Sequence, residues 1–142
     1  MRRDPTLAAY ILLTLLALWA VADRFAPYRG APADCRLGYV YDGDTVELLC
    51  GLEKRTARLQ GFDTPETKDP RCPAEAALGH KATDRLRALV KQGEVQVFFL
   101  GHDKYGRDLV TLTVAGRDVG AVLIAEGLAR DYRGGSRGGW CD

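Results

Sequence analysis

Apolar and polar residues change their spacing several times along this chain of 142 residues, and each change marks the end of a predicted element. Residues 6–22 contain no charged side chain and are rich in Leu and Ala, which indicates a continuous apolar helix. Residues 23–34 hold two Pro and one Gly without periodicity, and we interpret them as a linker. The folded domain is predicted to occupy residues 35–142.

Within that domain the pattern predicts five strands and two helices. An Asp-Gly turn between two apolar segments is typical of a β-hairpin, and a helical spacing of apolar residues follows the third strand. The predicted strands are 35–41, 45–50, 55–62, 94–100 and 107–114, and the predicted helices are 74–90 and 119–126. This order is that of an α+β, mainly β protein, a five-stranded OB-fold barrel with one main helix after strand 3 and a short C-terminal helix.

The apolar segment near the N-terminus has two interpretations. Its length of about 17 residues is at the short end of what spans a bilayer, and Arg2 and Arg3 before it favour a cytoplasmic start. This predicts an N-terminal transmembrane helix, with residues 1–22 as a signal-anchor and the domain outside the cytoplasm. The small residues at 20–22 also fit a signal peptide that is cleaved, which would leave a secreted or periplasmic protein. Export is expected in either case.

Net charge limits how the domain could bind a polyanion. The chain has 20 Lys and Arg against 19 Asp and Glu, and residues 30–142 alone hold 16 basic and 17 acidic side chains. Bulk electrostatic attraction to nucleic acid is therefore slight. Nucleic-acid binding would depend on local placement of Arg and Lys, or on a bound divalent cation that reverses the sign of the site.

Charged residues that could carry chemistry are concentrated in three turns: Asp42-Gly43-Asp44-Thr45, Arg58 through Glu66, and Asp103-Lys104-Tyr105-Gly106-Arg107. The second turn places a cation and two carboxylates within nine residues, and Pro65 restricts its backbone. The first turn adds acidic oxygens, and the third adds a second Arg. If these turns converge, acidic oxygens would face two guanidinium groups across a gap.

The three blocks resemble the staphylococcal-nuclease (thermonuclease) family, in the family's order and at compatible spacing, from Tyr39 to Tyr132. The resemblance implies a calcium-dependent, sugar-non-specific nuclease that hydrolyses phosphodiester bonds of DNA and RNA and leaves 3′-phosphates. It implies no protein partner, and we expect a monomer.

By that resemblance, Asp44, Asp63 and the Thr64 carbonyl match the family's calcium ligands. Hard oxygen ligands suit Ca²⁺, and the absence of nearby His or paired Cys argues against zinc. Asp42 is expected to orient a metal-bound water from behind these ligands. The physical alternative for Asp44 is a turn residue that binds its own backbone.

The remaining matched residues concern water activation and phosphate binding. Glu66 matches the proposed general base, which orients or deprotonates the attacking water. Arg58 and Arg107 match the guanidinium groups that clamp the phosphate, for which planar bidentate donors are suited. Three further residues match the family's substrate-binding positions: Lys104, Tyr105 and Tyr132.

Four cysteines are an even set without metal-binding spacing, which allows disulfides in an oxidising compartment. We would pair Cys35 with Cys50, nearly symmetric about the hairpin turn, and Cys72 with Cys141, which would tie the tail to the loop before the main helix. Three pairings are possible, and the sequence does not choose among them.

The near-neutral charge departs from the family's archetype, and it also disfavours the second hypothesis, a dedicated nucleic-acid binder. A non-catalytic nucleic-acid-binding OB module tethered to the membrane would share the fold without the reaction. Copies that have lost their chemistry are expected to lack the Glu or one Arg, whereas this chain has Arg58, Glu66 and Arg107. A calcium-dependent digestion assay distinguishes the two hypotheses.

Overall fold

A computed structural model describes residues 5–25 and 35–141. The chain divides into two compact units, Met1–Gly30 and Ala31–Asp142, which are described separately. In the first unit, helix α1 covers Pro5–Phe25 and contains the predicted apolar segment. The predicted transmembrane helix is not found, because no helix in the described residues is both long enough and apolar enough to cross a membrane. Residues 26–34 of the predicted linker lie outside the described residues.

The second unit is a curved mixed sheet with two helices in its described part. Its elements are β1 (Cys35–Val40), β2 (Thr45–Cys50), β3 (Glu53–Leu59), β4 (Gly61–Asp63), α2 (Pro73–Leu89), β5 (Val95–His102), β6 (Asp108–Val114), β7 (Arg117–Asp118), α3 (Val119–Ala125) and β8 (Arg130–Tyr132). The main sheet has the order β1-β2-β3-β6-β5, with β7 paired to β6. A second, two-stranded sheet joins β4 to β8.

One parallel pairing makes the main sheet a mixed sheet. β3 runs parallel to β6, with Arg58 in register with Leu109, whereas the other pairings of the main sheet are antiparallel. β1 and β5, at the two ends of the strand order, also contact each other, so the sheet curls toward closure. This mixed-sheet half-barrel is consistent with the predicted OB-type fold.

The core lies between the inner face of this sheet and the two helices. Alternation along β6 places Val110, Leu112 and Val114 inside, and α2 contributes Leu86 and Leu89. All five side chains are almost completely buried. Burial of each such side chain stabilises the fold by about 1.5–3 kcal/mol, and it fixes the turns that project from the barrel.

The third predicted strand is divided in the structure. Gln60 leaves the ladder, its backbone N–H donates to the Val110 carbonyl (2.9 Å), and Gly61 takes a φ of +97° that favours glycine. The chain therefore turns at Gly61, and residues 61–63 form β4 rather than extending β3. β4 pairs with β8, a strand that the sequence pattern did not predict.

Both predicted disulfides are present. Cys35 and Cys50 are Cα partners across the β1–β2 hairpin, as their symmetric placement indicated. Cys72 and Cys141 link the start of α2 to the C-terminal tail. No cysteine in the described residues is free.

Candidate active site

The acidic turn between β1 and β2 is held against the loop after β4. Within the turn, the Asp44 N–H donates to Asp42 Oδ1 (3.1 Å). A Cβ atom at Gly43 would lie 2.8 Å from the Thr64 side chain, so the approach of the two segments requires glycine here. Thr64 then donates twice to Asp44 Oδ2, from its N–H (3.2 Å) and its hydroxyl (3.0 Å).

Four of the predicted residues form one buried cluster: Asp44, Arg58, Asp63 and Thr64, each no more than 9% exposed. The Arg58 guanidinium is paired with Asp44 Oδ1 and, through Nη2, with Asp63 Oδ1 (3.1 Å). Arg58 Nη2 also donates to the Phe62 carbonyl (3.2 Å). Asp44 and Asp63 are therefore brought together, but they contact the Arg58 guanidinium directly instead of facing it across a gap.

Glu66 lies at the rim of this cluster and contacts a residue that the sequence analysis did not identify. Its Oε1 is 2.9 Å from Nη1 of Arg137, and Nε of the same guanidinium is 3.2 Å from Asp63 Oδ1. Arg137 thus bridges Glu66 to the buried cluster.

The crowding of acidic groups alters two pKa values. Burial raises the pKa of Glu66 above its ordinary value, and the negative charge of Asp44 raises it further, while Arg137 opposes the shift. Burial and then Asp44 also raise the pKa of Asp42, against a hydrogen bond from the Asp44 backbone. A carboxyl group with a raised pKa is better matched to proton transfer near neutral pH than an ordinary one.

The loop that carries Glu66 rests directly on α2. A Cβ atom at Gly79 would lie 2.7 Å from the Pro65 carbonyl oxygen and 3.1 Å from the Glu66 carbonyl oxygen. Only a residue without a side chain permits this approach, and the Thr83 hydroxyl donates to the Gly79 carbonyl (2.9 Å) on the same face. The helix therefore sets the position of the loop that contains Glu66.

Arg107 and the other predicted substrate-binding residues lie along an adjoining cavity of about 570 Å³. Arg107 is held by its own turn, since its Nε is 2.7 Å from Asp103 Oδ2. In the described part of the chain, no ion pair joins Arg107 to the acidic cluster. Its guanidinium and the Lys104 ammonium both lie over the ring of Tyr105. The cavity brings together Arg58, Lys104, Tyr105, Arg107, Tyr132 and Arg137.

The donor set of the cluster fits a hard cation. Asp44 and Asp63 already share one positive group, and the neighbouring ligand groups are oxygens, which suits Ca²⁺ or Mg²⁺ rather than zinc. Among residues 5–25 and 35–141, no group of three or more His, Cys, Asp or Glu is arranged to hold a metal ion.

Arg137 was missed because nothing in a glycine-rich tail predicts contact with Glu66, which lies 71 residues earlier in the chain. The only available signal was Cys141. Once it is paired with Cys72, the tail must pass close to the loop that contains Glu66. An arginine four residues before that cysteine is then a candidate for the site.

The fold and the site together define the class of this protein: an OB-type half-barrel whose turns bring carboxylates and guanidinium groups into one polar site. Comparison with known proteins then gives the family. A family model described as staphylococcal nuclease homologue matches residues 56–138. Endonuclease YncB of Bacillus subtilis (strain 168) is 40% identical over 92 residues, which cover 63% of this chain and 43% of that protein. Micrococcal nuclease of Shigella flexneri is 30% identical over 135 residues, which cover 89% of this chain and 67% of that protein.

This chain belongs to the staphylococcal nuclease family. It is also 38% identical over 100 residues to the SPbeta prophage-derived endonuclease YokF of Bacillus subtilis (strain 168), covering 68% of this chain and 33% of that protein. The chain therefore spans less than half the length of the two Bacillus relatives.

Proposed function

We propose that this protein is a nuclease that hydrolyses phosphodiester bonds of DNA and RNA with the help of a divalent cation, for which Ca²⁺ is the first choice. The observation that carries the proposal is the convergence of Asp44 and Asp63 on Arg58, with Glu66 at the rim of the same cluster. Family membership and relatives named as nucleases support the reaction class.

Asp44, Asp63 and the Thr64 carbonyl would hold the cation. When bound, Ca²⁺ supplies positive charge opposite the phosphate and offsets the charge of the carboxylates. Asp42, hydrogen-bonded to the Asp44 backbone, would hold the acidic turn and orient a water molecule. The buried positions of Asp44 and Asp63 exclude bulk water, which strengthens each electrostatic contact.

Arg107 would bind the non-bridging phosphate oxygens, whose charge increases in the transition state. Arg58 would bind them too, once the cation has replaced it as the partner of Asp44 and Asp63. The oxygen of a water molecule attacks phosphorus, its proton passes to Glu66, and the bond from phosphorus to the 5′-oxygen breaks. The products are a 3′-phosphate and a 5′-hydroxyl, the latter taking its proton from solvent. Lys104, Tyr105 and Tyr132 line the cavity in which the neighbouring nucleotide would lie.

Digestion of labelled single-stranded DNA, duplex DNA and RNA by the full chain tests this proposal. We expect cleavage with Ca²⁺, none with chelator, and 3′-phosphate ends. Glu66→Gln and Arg58→Lys should each lower kcat about 10²–10⁴-fold, the usual range for loss of a general base or a preorganised charge. The control is Arg117→Gln, which removes a positive charge from β7, where Arg117 contacts Gln92. This variant should retain full activity.

Two outcomes would contradict the proposal. Undiminished cutting by Glu66→Gln would remove its assigned role. If the protein binds nucleic acid but does not cleave it with any cation tested, the non-catalytic binding module is favoured instead.

Export remains part of the proposal and is supported by the two disulfides, which form and persist in oxidising compartments. Resistance of all four cysteines to alkylation in intact producing cells is expected, and full alkylation before reduction would contradict it.

A further inference from the structure

The C-terminal tail, residues 133–141, has no helix or strand, yet it is fixed at both ends beside the candidate active site. At its start, β8 pairs with β4, and Arg130 is the Cα partner of Asp63. At its end, Cys141 is bonded to Cys72, the N-cap residue of α2. The tail therefore lies beside the loop that contains Glu66.

Contacts inside the tail fix its path. The Arg130 guanidinium lies 3.9 Å from the centre of the Trp140 ring, and its Nη1 donates to the Gly139 carbonyl (2.6 Å). The Tyr132 hydroxyl donates to the Gly135 carbonyl (2.9 Å), across a turn in which Gly135 takes a φ of +97°. These contacts leave Arg137 between two anchored segments, facing the acidic residues.

Arg137 is placed to hold two carboxylates that would otherwise repel each other. Its Nε is 3.2 Å from Asp63 Oδ1, and its Nη1 is 2.9 Å from Glu66 Oε1. Asp63 is buried and fixed by Arg58, whereas the Glu66 side chain is 51% exposed. A half-exposed glutamate samples several rotamers unless a partner holds it.

We propose that Arg137 is a positioning residue for Glu66: it anchors on buried Asp63 and holds the Glu66 carboxylate in the orientation that receives a proton from the attacking water. The inference rests on the proposed function, because that function gives Glu66 its role. A planar guanidinium can donate to two carboxylates from adjacent nitrogens, and an ammonium cannot reproduce this geometry.

A kinetic double-mutant cycle tests whether Arg137 acts through Glu66. The full chain with both disulfides is compared with Arg137→Gln, Arg137→Lys, Glu66→Gln and the double variant Arg137→Gln/Glu66→Gln. We expect Arg137→Gln to lower kcat about 10–100-fold with KM changed less than about twofold, and Arg137→Lys to recover part of the loss. In the Glu66→Gln background, Arg137→Gln should change kcat less than about twofold, because its target is already absent.

The cycle has two results that would overturn the proposal. An equal loss of kcat in both backgrounds would show that Arg137 acts independently of Glu66. A rise in KM with unchanged kcat would show that it binds substrate rather than positions the base. Arg117→Gln serves as the matched control for removal of one surface guanidinium.

A measurement without catalysis separates failure of this inference from failure of the proposed function. In ¹⁵N spectra of the full chain without substrate or cation, the Arg137 Nη protons should exchange slowly. That protection should be lost in Glu66→Gln and retained in Arg117→Gln. If neither the wild type nor any variant has nuclease activity, the proposed function is refuted, but the positioning of Glu66 by Arg137 is not. An Arg137 signal unaffected by Glu66→Gln would refute the positioning role alone.

Discussion

Glu66 experiences opposing influences from its neighbours, and their balance defines what the residue can do. Burial and the charges of Asp44, Asp42 and Asp63 favour its protonated form, and Arg137 favours the carboxylate. The net direction is upward, which is unusual for a side chain that is half exposed. A bound divalent cation would act in the same direction as Arg137, because it offsets the charge of Asp44.

Titration of the cation-free protein should therefore show the pKa of Glu66 above its ordinary value of 4.5. Removal of the Asp44 charge in Asp44→Asn should lower that pKa, and Arg137→Gln should raise it, since the two charges act in opposite directions. Because the pKa is raised in the folded state, Glu66 favours folding below its ordinary pKa, and this contribution is lost as the pH rises through the raised value.

Carboxyl ¹³C chemical shifts followed against pH provide the measurement, and Glu66→Gln identifies the signal by its disappearance. An unchanged pKa in Asp44→Asn would contradict the electrostatic account of the site.

Sequence reasoning selected the residues that stand close together in local motifs. Asp44 lies in the turn before β2, Asp63 ends β4, and Arg58 lies near the end of β3, so each is visible in a short window of sequence. Arg137 is different, because its contacts depend on a disulfide and on a strand pairing between distant segments. No local pattern contains that information.

At the scale of elements, the two disulfides have separate consequences. Cys35–Cys50 closes a hairpin of 15 residues at the far end of β1 and β2, and Cys72–Cys141 closes a loop of 69 residues that includes the tail. In the chain-entropy account, the two bridges stabilise the fold by about 3 and about 4 kcal/mol. Only the second also holds the segment that carries Arg137.

Replacing Cys72 and Cys141 by Ser should lower both the free energy of unfolding, by about 2–4 kcal/mol, and kcat. Replacing Cys35 and Cys50 by Ser should lower the free energy of unfolding to a similar extent and leave kcat within about twofold of wild type. Urea denaturation and initial rates at a temperature where both variants are folded measure the two effects. Equal loss of kcat in both variants would show that the tail has no specific role.

The main strands and helices were predictable because burial imposes a period of two or of 3.6 residues on them. Alternation along β6 and helical spacing along α2 are strong enough to be read directly. β4 and β8 were not predicted, because each is three residues long and exists only through pairing with the other. Gly61 marked the boundary between β3 and β4, but an isolated glycine does not reveal its φ.

At the scale of the whole molecule, nucleic-acid binding has to depend on where the cationic side chains lie, because the net charge is close to zero. Residues 30–142 carry one more acidic than basic side chain, yet Arg58, Arg107 and Lys104 line one cavity. Such a protein should contact few phosphates and should bind nucleic acid weakly outside its site.

We therefore expect a shallow salt dependence of binding to single-stranded DNA. Using Glu66→Gln with constant Ca²⁺ to prevent cleavage, the plot of log K against log salt should have a slope of about −2 to −3, as expected for three or four phosphate contacts. Lys104→Gln should reduce the slope by about 0.7, and Arg117→Gln should leave it unchanged. Fluorescence anisotropy at several salt concentrations measures this, and a slope steeper than about −6 would refute it.

The parallel pairing of β3 with β6 also affects the stage of folding at which the site is assembled. These strands lie on opposite sides of α2 in the chain, so their pairing must close a long loop before it gains any contact, and it is expected late in folding. Arg58 on β3 and Arg107 beside β6 come close together only when this pairing forms. Under the proposed function, a nascent or half-folded chain would lack the complete pair of phosphate-binding arginines, and the nucleic acids of the producing cell would be spared until folding is finished.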